Sequence, residues 1–486
     1  MDRMSPLDAA FLQAEDEEPG VSLAISSIAV FEGPAPTTDE FAATLAGRLP
    51  LVPRYRQKAR QVPFDLGPPV WVDDPDFRLG YHLRRTALPA PGGDAELAAL
   101  MGRIMSARLD RDRPLWEYWL VEGLAADRWA LISKVHHCMV DGISGTDLYR
   151  VLLDTTPEPG PAVTDDWHPA PEPSAVALAA EAARGLARLP VEQARALTAA
   201  VRDPRVVAGP ALAAARGLAA LAGALLPASR STLSGPLSAE RRFAFTRGSV
   251  AEVREVREAL GGTFNDVVLA AVTAGYRALL LERGERPRPG TVRTLVPVSV
   301  RAPGEESIRD NRVSLILARL PVDVADPVER LAAVRGELTR LKGAHEAEAG
   351  TAVLALAGQQ AFPVIASPVR LAARLPQRSV VTVTTDVPGP RQPLWALGRP
   401  LVEIIPYVPI ASRVRIGVAV LSYCDSLAVG VTGDYDGAAD VATLAEGTAA
   451  GLAELVAVAR ARHRRSTRAH AARSGSATGG RRRGSP

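Results

Sequence analysis

Two stretches of alternating strand and helix signals, residues 22–153 and 241–460, flank a long Ala/Leu/Arg-rich segment. That arrangement leaves few folds open to a chain of 486 residues, which is too long for one ordinary core. Residues 22–31 read as a strand followed by a Gly-Pro turn, and residues 38–48 as a helix capped at Thr37 or Thr38. Residues 94–109 place Leu97, Leu100, Met101, Ile104 and Met105 at helical spacing behind Asp94. Strand-like runs follow at 117–122 and 129–135. The second half has strands at 242–246, 292–300, 313–320, 379–385, 401–408, 414–421 and 427–433. Its helices start at Ser249 and Phe264 and continue at 326–343, 350–373 and 438–460. Strands mixed with helices in both halves predict an α/β architecture repeated twice. The expected limits are 1–155 and 241–460 for the two domains, 156–240 for a helical crossover broken at Pro190, Pro204 and Pro210, and 461–486 for a disordered basic tail.

Charge divides the chain unevenly. There are 57 basic and 54 acidic residues, a net of +3, yet from Arg460 onward there are nine arginines and no acid. Without those nine, 48 basic residues face 54 acidic ones, a net of −6. An acidic body argues against a nucleic-acid binder. The tail reads as solvated, with nonspecific contact to anionic lipid or nucleic acid as the alternative. The arginines spaced through residues 175–228 suit helices packed across a domain junction; an amphipathic surface resting on lipid is the competing reading. Two cysteines, Cys138 and Cys424, cannot build a disulfide framework and suit a reducing cytosol. No basic-then-apolar leader opens the chain, and no stretch of 18 apolar residues is free of charge.

The chemistry concentrates in His136-His137-Cys138-Met139-Val140-Asp141-Gly142, an H-H-x-x-x-D-G string holding two of only seven histidines. The strand at 129–135 delivers the chain into it; a turn at 142–145 and a helix from Thr146 to Leu153 are expected beyond. Side chains at such a junction point into a cleft. Imidazole titrates near neutrality, so it can take a proton from a hydroxyl and pass it to a leaving thiolate. His137 is the candidate base. His136 supports the loop, Asp141 pairs with an arginine to stiffen it, and Gly142 allows a tight turn and close substrate approach. No metal is expected, because the spacing is not H-E-x-x-H and no Cys/His cluster supplies further ligands. Ser144 and Cys138 lie nearby, but neither sits in a nucleophile elbow. Cys138 reads as buried packing, and direct attack by the acceptor is simpler than an acyl-enzyme.

Several segments resemble, in order, the bacterial wax ester synthase/acyl-CoA:diacylglycerol acyltransferase family. They are Ser5-Pro6-Leu7-Asp8 with Phe11-Leu12 and Glu15, Trp71-Val72-Asp73-Asp74 with Tyr81-His82, Pro114-Leu115-Trp116, and His136 to Gly142. Asn265-Asp266, Val296 to Arg301 with Asn311 to Ser314, Val387-Pro388-Gly389-Pro390 and Leu421-Ser422-Tyr423 follow. The resemblance implies two chloramphenicol-acetyltransferase-like (CoA-dependent acyltransferase) domains with a tunnel between them. It implies fatty acyl-CoA as co-substrate with no other cofactor, and diacylglycerol or a long-chain alcohol as acceptor. His137 would be the general base and Asp141 would keep the site in shape, with Asn265 and Asp266 bracing it from the second domain. A cytoplasmic location follows, peripheral at the inner membrane face or lipid droplets. Other readings of single elements stay open. Pro114-Leu115-Trp116 can enter a strand and pack an indole, Asn265-Asp266 can cap a helix, Val387 to Pro390 is a turn by composition, and Glu15 can be a surface acid. Two departures stand out: Asp386 where the family often has Asn, and Val21-Ser22-Leu23 where a Met-His pair is common. The alternatives to neutral-lipid synthesis are an acyltransferase on polyketide or sugar hydroxyls or carrier-bound donors, and a noncatalytic lipid-binding protein.

Overall fold

The computed structural model describes residues 2–140, 152–202, 231–299, 313–343 and 379–478. Asp141, Gly142, Ser144, the expected turn at 142–145, nearly all of the helix at 146–153, the helix at 350–373, Pro204 and Pro210 lie outside the described residues.

A six-stranded sheet forms the first half, in the order β12-β13-β2-β7-β6-β5. Its strands are β2 (Ala24–Glu32), β5 (Leu83–Ala87), β6 (Trp116–Leu124), β7 (Arg128–His136), β12 (Trp395–Ala396) and β13 (Arg399–Tyr407). A small sheet of β1 (Asp2–Arg3), β4 (Val70–Asp73) and β3 (Gln57–Arg60) lies beside it. The second half is a six-stranded sheet in the order β10-β9-β11-β14-β15-β8. Its strands are β8 (Arg241–Ser249), β9 (Val292–Ser299), β10 (Val313–Leu320), β11 (Thr382–Pro388), β14 (Ile416–Tyr423) and β15 (Ser426–Asp434). The helices are α1 (Pro6–Glu17), α2 (Thr38–Ala46), α3 (Leu79–His82), α4 (Asp94–Ser106), α5 (Ala175–Arg202), α6 (Val250–Leu260), α7 (Phe264–Glu282), α8 (Pro327–Gly343) and α9 (Val441–Thr478).

Three expectations need correction. Strands β12 and β13 come from the second half of the chain but complete the first sheet, with Leu401 opposite Phe31 and Tyr407 opposite Ser26. Without β13, the buried strand β2 would present a row of unpaired backbone groups. A division at residue 241 therefore does not separate the two sheets. The break expected at Pro190 is absent, and α5 runs through it. The last helix does not stop at Arg460 but continues to Thr478. Ala and Arg, abundant there, are strong helix formers, and extending an existing helix avoids the cost of nucleation.

Helices α7 and α9 both reach the length and hydropathy of a membrane span, but 72% of the apolar window of α7 is buried inside the protein. Glycines explain how closely the pair approaches. A Cβ at Gly275 would lie 2.4 Å from Thr448 Oγ1 and 2.5 Å from the Leu444 carbonyl oxygen; one at Gly451 would lie 2.4 Å from Ala274 Cβ. Replacing Gly275 by Leu would force the helices apart. We expect it to lower stability by about 2–3 kcal/mol, measured by chemical denaturation of the purified variant.

Candidate active site

The site is built where β7, at the centre of the first sheet, runs out. Lys134 and His136, two residues apart, project from the same face of this strand. The Lys134 ammonium donates to the carbonyls of Ile104 (2.7 Å) and Ala107 (2.6 Å) at the end of α4. These are acceptors that a helix terminus leaves without partners. Burial lowers the lysine to about 8.

His136 is 1% exposed, and both ring nitrogens are engaged. The Cys138 backbone N–H donates to Nδ1 at 3.2 Å. Nδ1 is therefore an acceptor, and the proton sits on Nε2, which donates to Glu15 Oε2. Arg111 Nη2 approaches the same carboxylate at 3.2 Å, and Arg108 Nε lies 3.8 Å from its other oxygen. Burial pushes the Glu15 carboxyl up, but the His136 bond and the two guanidinium charges outweigh it and hold it below its ordinary range. Burial keeps His136 below its ordinary value despite the Glu15 bond. The pair is thus a neutral imidazole against a carboxylate. Through Nδ1, His136 also caps the short 3-10 turn His137–Met139.

His137 opens that turn. Its backbone N–H donates to the Leu23 carbonyl at 3.1 Å, one residue beyond the formal β2–β7 ladder. Its ring stacks on Phe11, with centroids 4.0 Å apart and planes at 25°. Unlike its neighbour it is only half-buried. Cys138 is buried, and burial drives its thiol far above the ordinary range, so it supplies no thiolate.

Helix α1 places both Phe11 and Glu15. Ser5 accepts from Asp8 N–H at 3.2 Å and Pro6 occupies the first turn, a strong N-terminus. Asp8, Phe11, Leu12 and Glu15 then fall at i, i+3, i+4 and i+7 on the face turned to the sheet. Glu15 is accordingly no surface acid; it is 1% exposed. The spacing could have revealed this, because an acid on a buried stripe needs a partner. The partners Arg108 and Arg111 carry no such signal. Pro114-Leu115-Trp116 serves packing and positioning together. Trp116 is fully buried, stacks on Tyr55 and His82, and donates to the Tyr55 carbonyl at 2.8 Å. The Leu115 carbonyl accepts from His136 N–H at 2.9 Å.

The residues expected from the second half occupy α7 and β11. Asp266 forms a capping box: its carboxylate accepts from Thr263 N–H at 2.7 Å and its own N–H donates to Thr263 Oγ1 at 3.2 Å. Its carboxylate is engaged in starting α7, with half-buried Asn265 in the same turn. Val387 and Pro388, expected in a turn, instead end β11 paired with Leu421 and Ser422 of β14, and a Cβ at Gly389 would lie 1.9 Å from the Ser422 carbonyl oxygen. Just before Val387, Asp386 is pushed up to about 6 by burial. Val21 and Leu23, the other departure, offer their carbonyls to Arg108 (2.8 Å) and to His137 N–H. Among the described residues, no three His, Cys, Asp or Glu side chains come together as metal ligands.

Two α/β halves sharing strands, with this histidine turn on a central strand, define a fold of the CoA-dependent acyltransferase kind. The first condensation domain of the CDA synthetase has the same fold (TM-score 0.55, 16% identity, covering 94% of this chain and 96% of that one). The wax ester synthase/diacylglycerol acyltransferase from Marinobacter aquaeolei VT8 superposes with a TM-score of 0.66 at 26% identity, over 94% of this chain and 100% of that one. In sequence, the wax ester synthase/diacylglycerol acyltransferase catalytic domain matches residues 4–268, and the C-terminal domain of that family matches residues 310–456. A Mycobacterium tuberculosis protein named "Probable diacyglycerol O-acyltransferase tgs1" is 45% identical over 462 residues, 95% of this chain and 97% of its own. The chain belongs to the wax ester synthase/diacylglycerol acyltransferase family of O-acyltransferases.

Two substitutions probe this geometry. Glu15→Ala leaves the buried His136 without its acceptor and removes one of the two carboxylates on Arg111. We expect a stability loss of about 3 kcal/mol, read by denaturant titration, and a smaller loss for Glu15→Gln. Because the folded carboxyl titrates below its unfolded value of 4.5, its contribution is present above that pH and fades as the pH falls through the folded value. The gap between wild type and Glu15→Gln therefore closes in acid. Asp386 has the opposite sign. Its carboxyl is raised from 3.8 to about 6, so ionisation costs nothing below 3.8 and its full penalty above 6. Asp386→Asn should raise the melting temperature at pH 8 but not at pH 4. The gain should be about 1 kcal/mol, since partial solvent contact screens part of the shift.

Proposed function

We propose that this chain transfers a fatty acyl group from acyl-CoA to the hydroxyl of diacylglycerol or a long-chain alcohol, with His137 as general base and no acyl-enzyme. The observation that carries the reading is the contrast between the two imidazoles. His136 is sealed and locked in one tautomer by Glu15 and Cys138, whereas the half-buried His137 is the one held at the strand end by Leu23 and Phe11.

In this mechanism the His137 ring takes the acceptor's hydroxyl proton as the oxygen attacks the thioester carbonyl. The tetrahedral intermediate collapses by breaking the carbon–sulfur bond, and the imidazolium returns the proton to the departing CoA thiolate. Triacylglycerol or wax ester and free CoA result. Acyl-CoA enters as a co-substrate, and no metal or further cofactor takes part. Asp141 keeps the site in shape, and Gly142 allows close approach of substrate. His136 acts through the turn it caps, as a positioning residue. Asn265 and Asp266 support the site by starting α7. A diacylglycerol acceptor resides in lipid, so the enzyme works in the cytoplasm, peripherally at the inner membrane face or on lipid droplets.

His137→Ala should lower turnover by about 100- to 10,000-fold while leaving the melting temperature near wild type. The measurement is CoA release from palmitoyl-CoA with hexadecanol or dioleoylglycerol. Undiminished turnover would remove His137 from the mechanism, and activity confined to carrier-bound donors would redirect the substrate reading.

A further inference from the structure

Helix α9 changes character along its length. As far as Ala459 it is a core helix, with Val441, Leu444, Leu455, Val456 and Ala459 buried. Arg460 marks the limit, its Nε paired with Glu255 of α6 at 3.1 Å. Beyond it Arg462, His463, Arg464 and Arg465 are exposed, and the helix continues to Thr478. From Arg462 to the end the chain has eight arginines, two histidines and no acid, attached to a body of 49 basic and 54 acidic residues, a net of −5. The family match ends at residue 456, so this segment is an addition to the family's catalytic frame.

At 100° per residue, Arg462, Arg464, Arg465, Arg468 and Arg473 fall on one half of the helix, and the Ser, Thr, His and Ala residues of the other half make no apolar stripe. Such a helix has nothing to insert into hydrocarbon; it can act only by charge. The turns past Arg460 span about 27 Å, several times the Debye length of about 8 Å at physiological salt. The cationic segment therefore reaches beyond the repulsive range of the acidic body.

We propose that this extension is an electrostatic arm that docks the enzyme on an anionic lipid surface. The inference rests on the proposed acceptor, a lipid that resides in such surfaces. A nucleic acid would satisfy the same charges, but the acidic body next to the arm disfavours a flexible polyanion that wraps.

The test is co-sedimentation of the full-length protein with vesicles of phosphatidylcholine alone or with one-third phosphatidylglycerol. Wild type is compared with a variant carrying Arg462→Gln, Arg464→Gln, Arg465→Gln, Arg468→Gln and Arg473→Gln. Wild type should bind only the phosphatidylglycerol vesicles, and more weakly as salt rises. The variant should bind them at least about a hundredfold more weakly. CoA release with detergent-dispersed dioleoylglycerol should be equal in both. Equal vesicle binding by the two proteins, binding indifferent to phosphatidylglycerol, or tighter binding of wild type to duplex DNA than to the vesicles would each overturn the arm. Failure of both proteins to release CoA would instead overturn the catalytic reading, which the vesicle measurement does not touch.

Discussion

The hydrogen bond between Glu15 and His136 is the constraint on which the site depends. Each group alone would be costly to bury, and together they satisfy one another. Arg108 and Arg111 then settle the charge, keeping the carboxylate ionised and so the imidazole proton on Nε2. That leaves Nδ1 to accept from Cys138 N–H, which fixes the turn at whose start His137 stands. The bond also pins α1 to the end of β7, and α1 brings Phe11 against the His137 ring. One contact therefore sets the tautomer, the backbone turn and the ring packing. Two adjacent, chemically identical residues thus have different surroundings: one is sealed and the other is only half-buried.

Much of this was legible in the chain, for physical reasons. Strands and helices with strong periodicity, such as 129–135 and 264–281, appear within a few residues of their expected places as β7 and α7. The histidine string pointed to a strand end, and β7 does end at His136. What was not legible depends on long-range partners. Nothing local in Arg399–Tyr407 says that it pairs with Ala24–Glu32, more than 360 residues earlier, instead of with its own half. Arg108 and Arg111 look like any other arginines until Glu15 is known to be buried. Glu15 itself was readable from its spacing to Asp8, Phe11 and Leu12 but was outweighed by the usual exposure of glutamate. The basic tail departs from expectation for a different reason. Up to Thr478 its Ala and Arg content favours helix, not disorder, once the core part of α9 supplies the nucleus.

The crossing of β12 and β13 has a mechanical consequence. Arg247, on β8 of the second sheet, grips Glu403 of β13 with Nε (2.7 Å) and Nη2 (2.8 Å), and reaches Asp94 at the start of α4 with Nη1 (2.5 Å). Both carboxylates raise the guanidinium's proton affinity, Glu403 most. The same α4 is held at its other end by Lys134 from β7. Immediately after it, Arg108 donates to the Val21 carbonyl and lies beside Glu15. Helix α4 is thus a strut with one end in the junction between the halves and the other against the groups that orient the histidine turn. At about 20 Å for its 13 residues, with both ends tied by charge-assisted bonds, it resists bending far better than a loop would. A shift of the second sheet would therefore be borne by α4 at the Glu15 end as well as by the interface. The two halves thus form one unit, linked from Arg247 of the second sheet through α4 to the groups around the histidine turn.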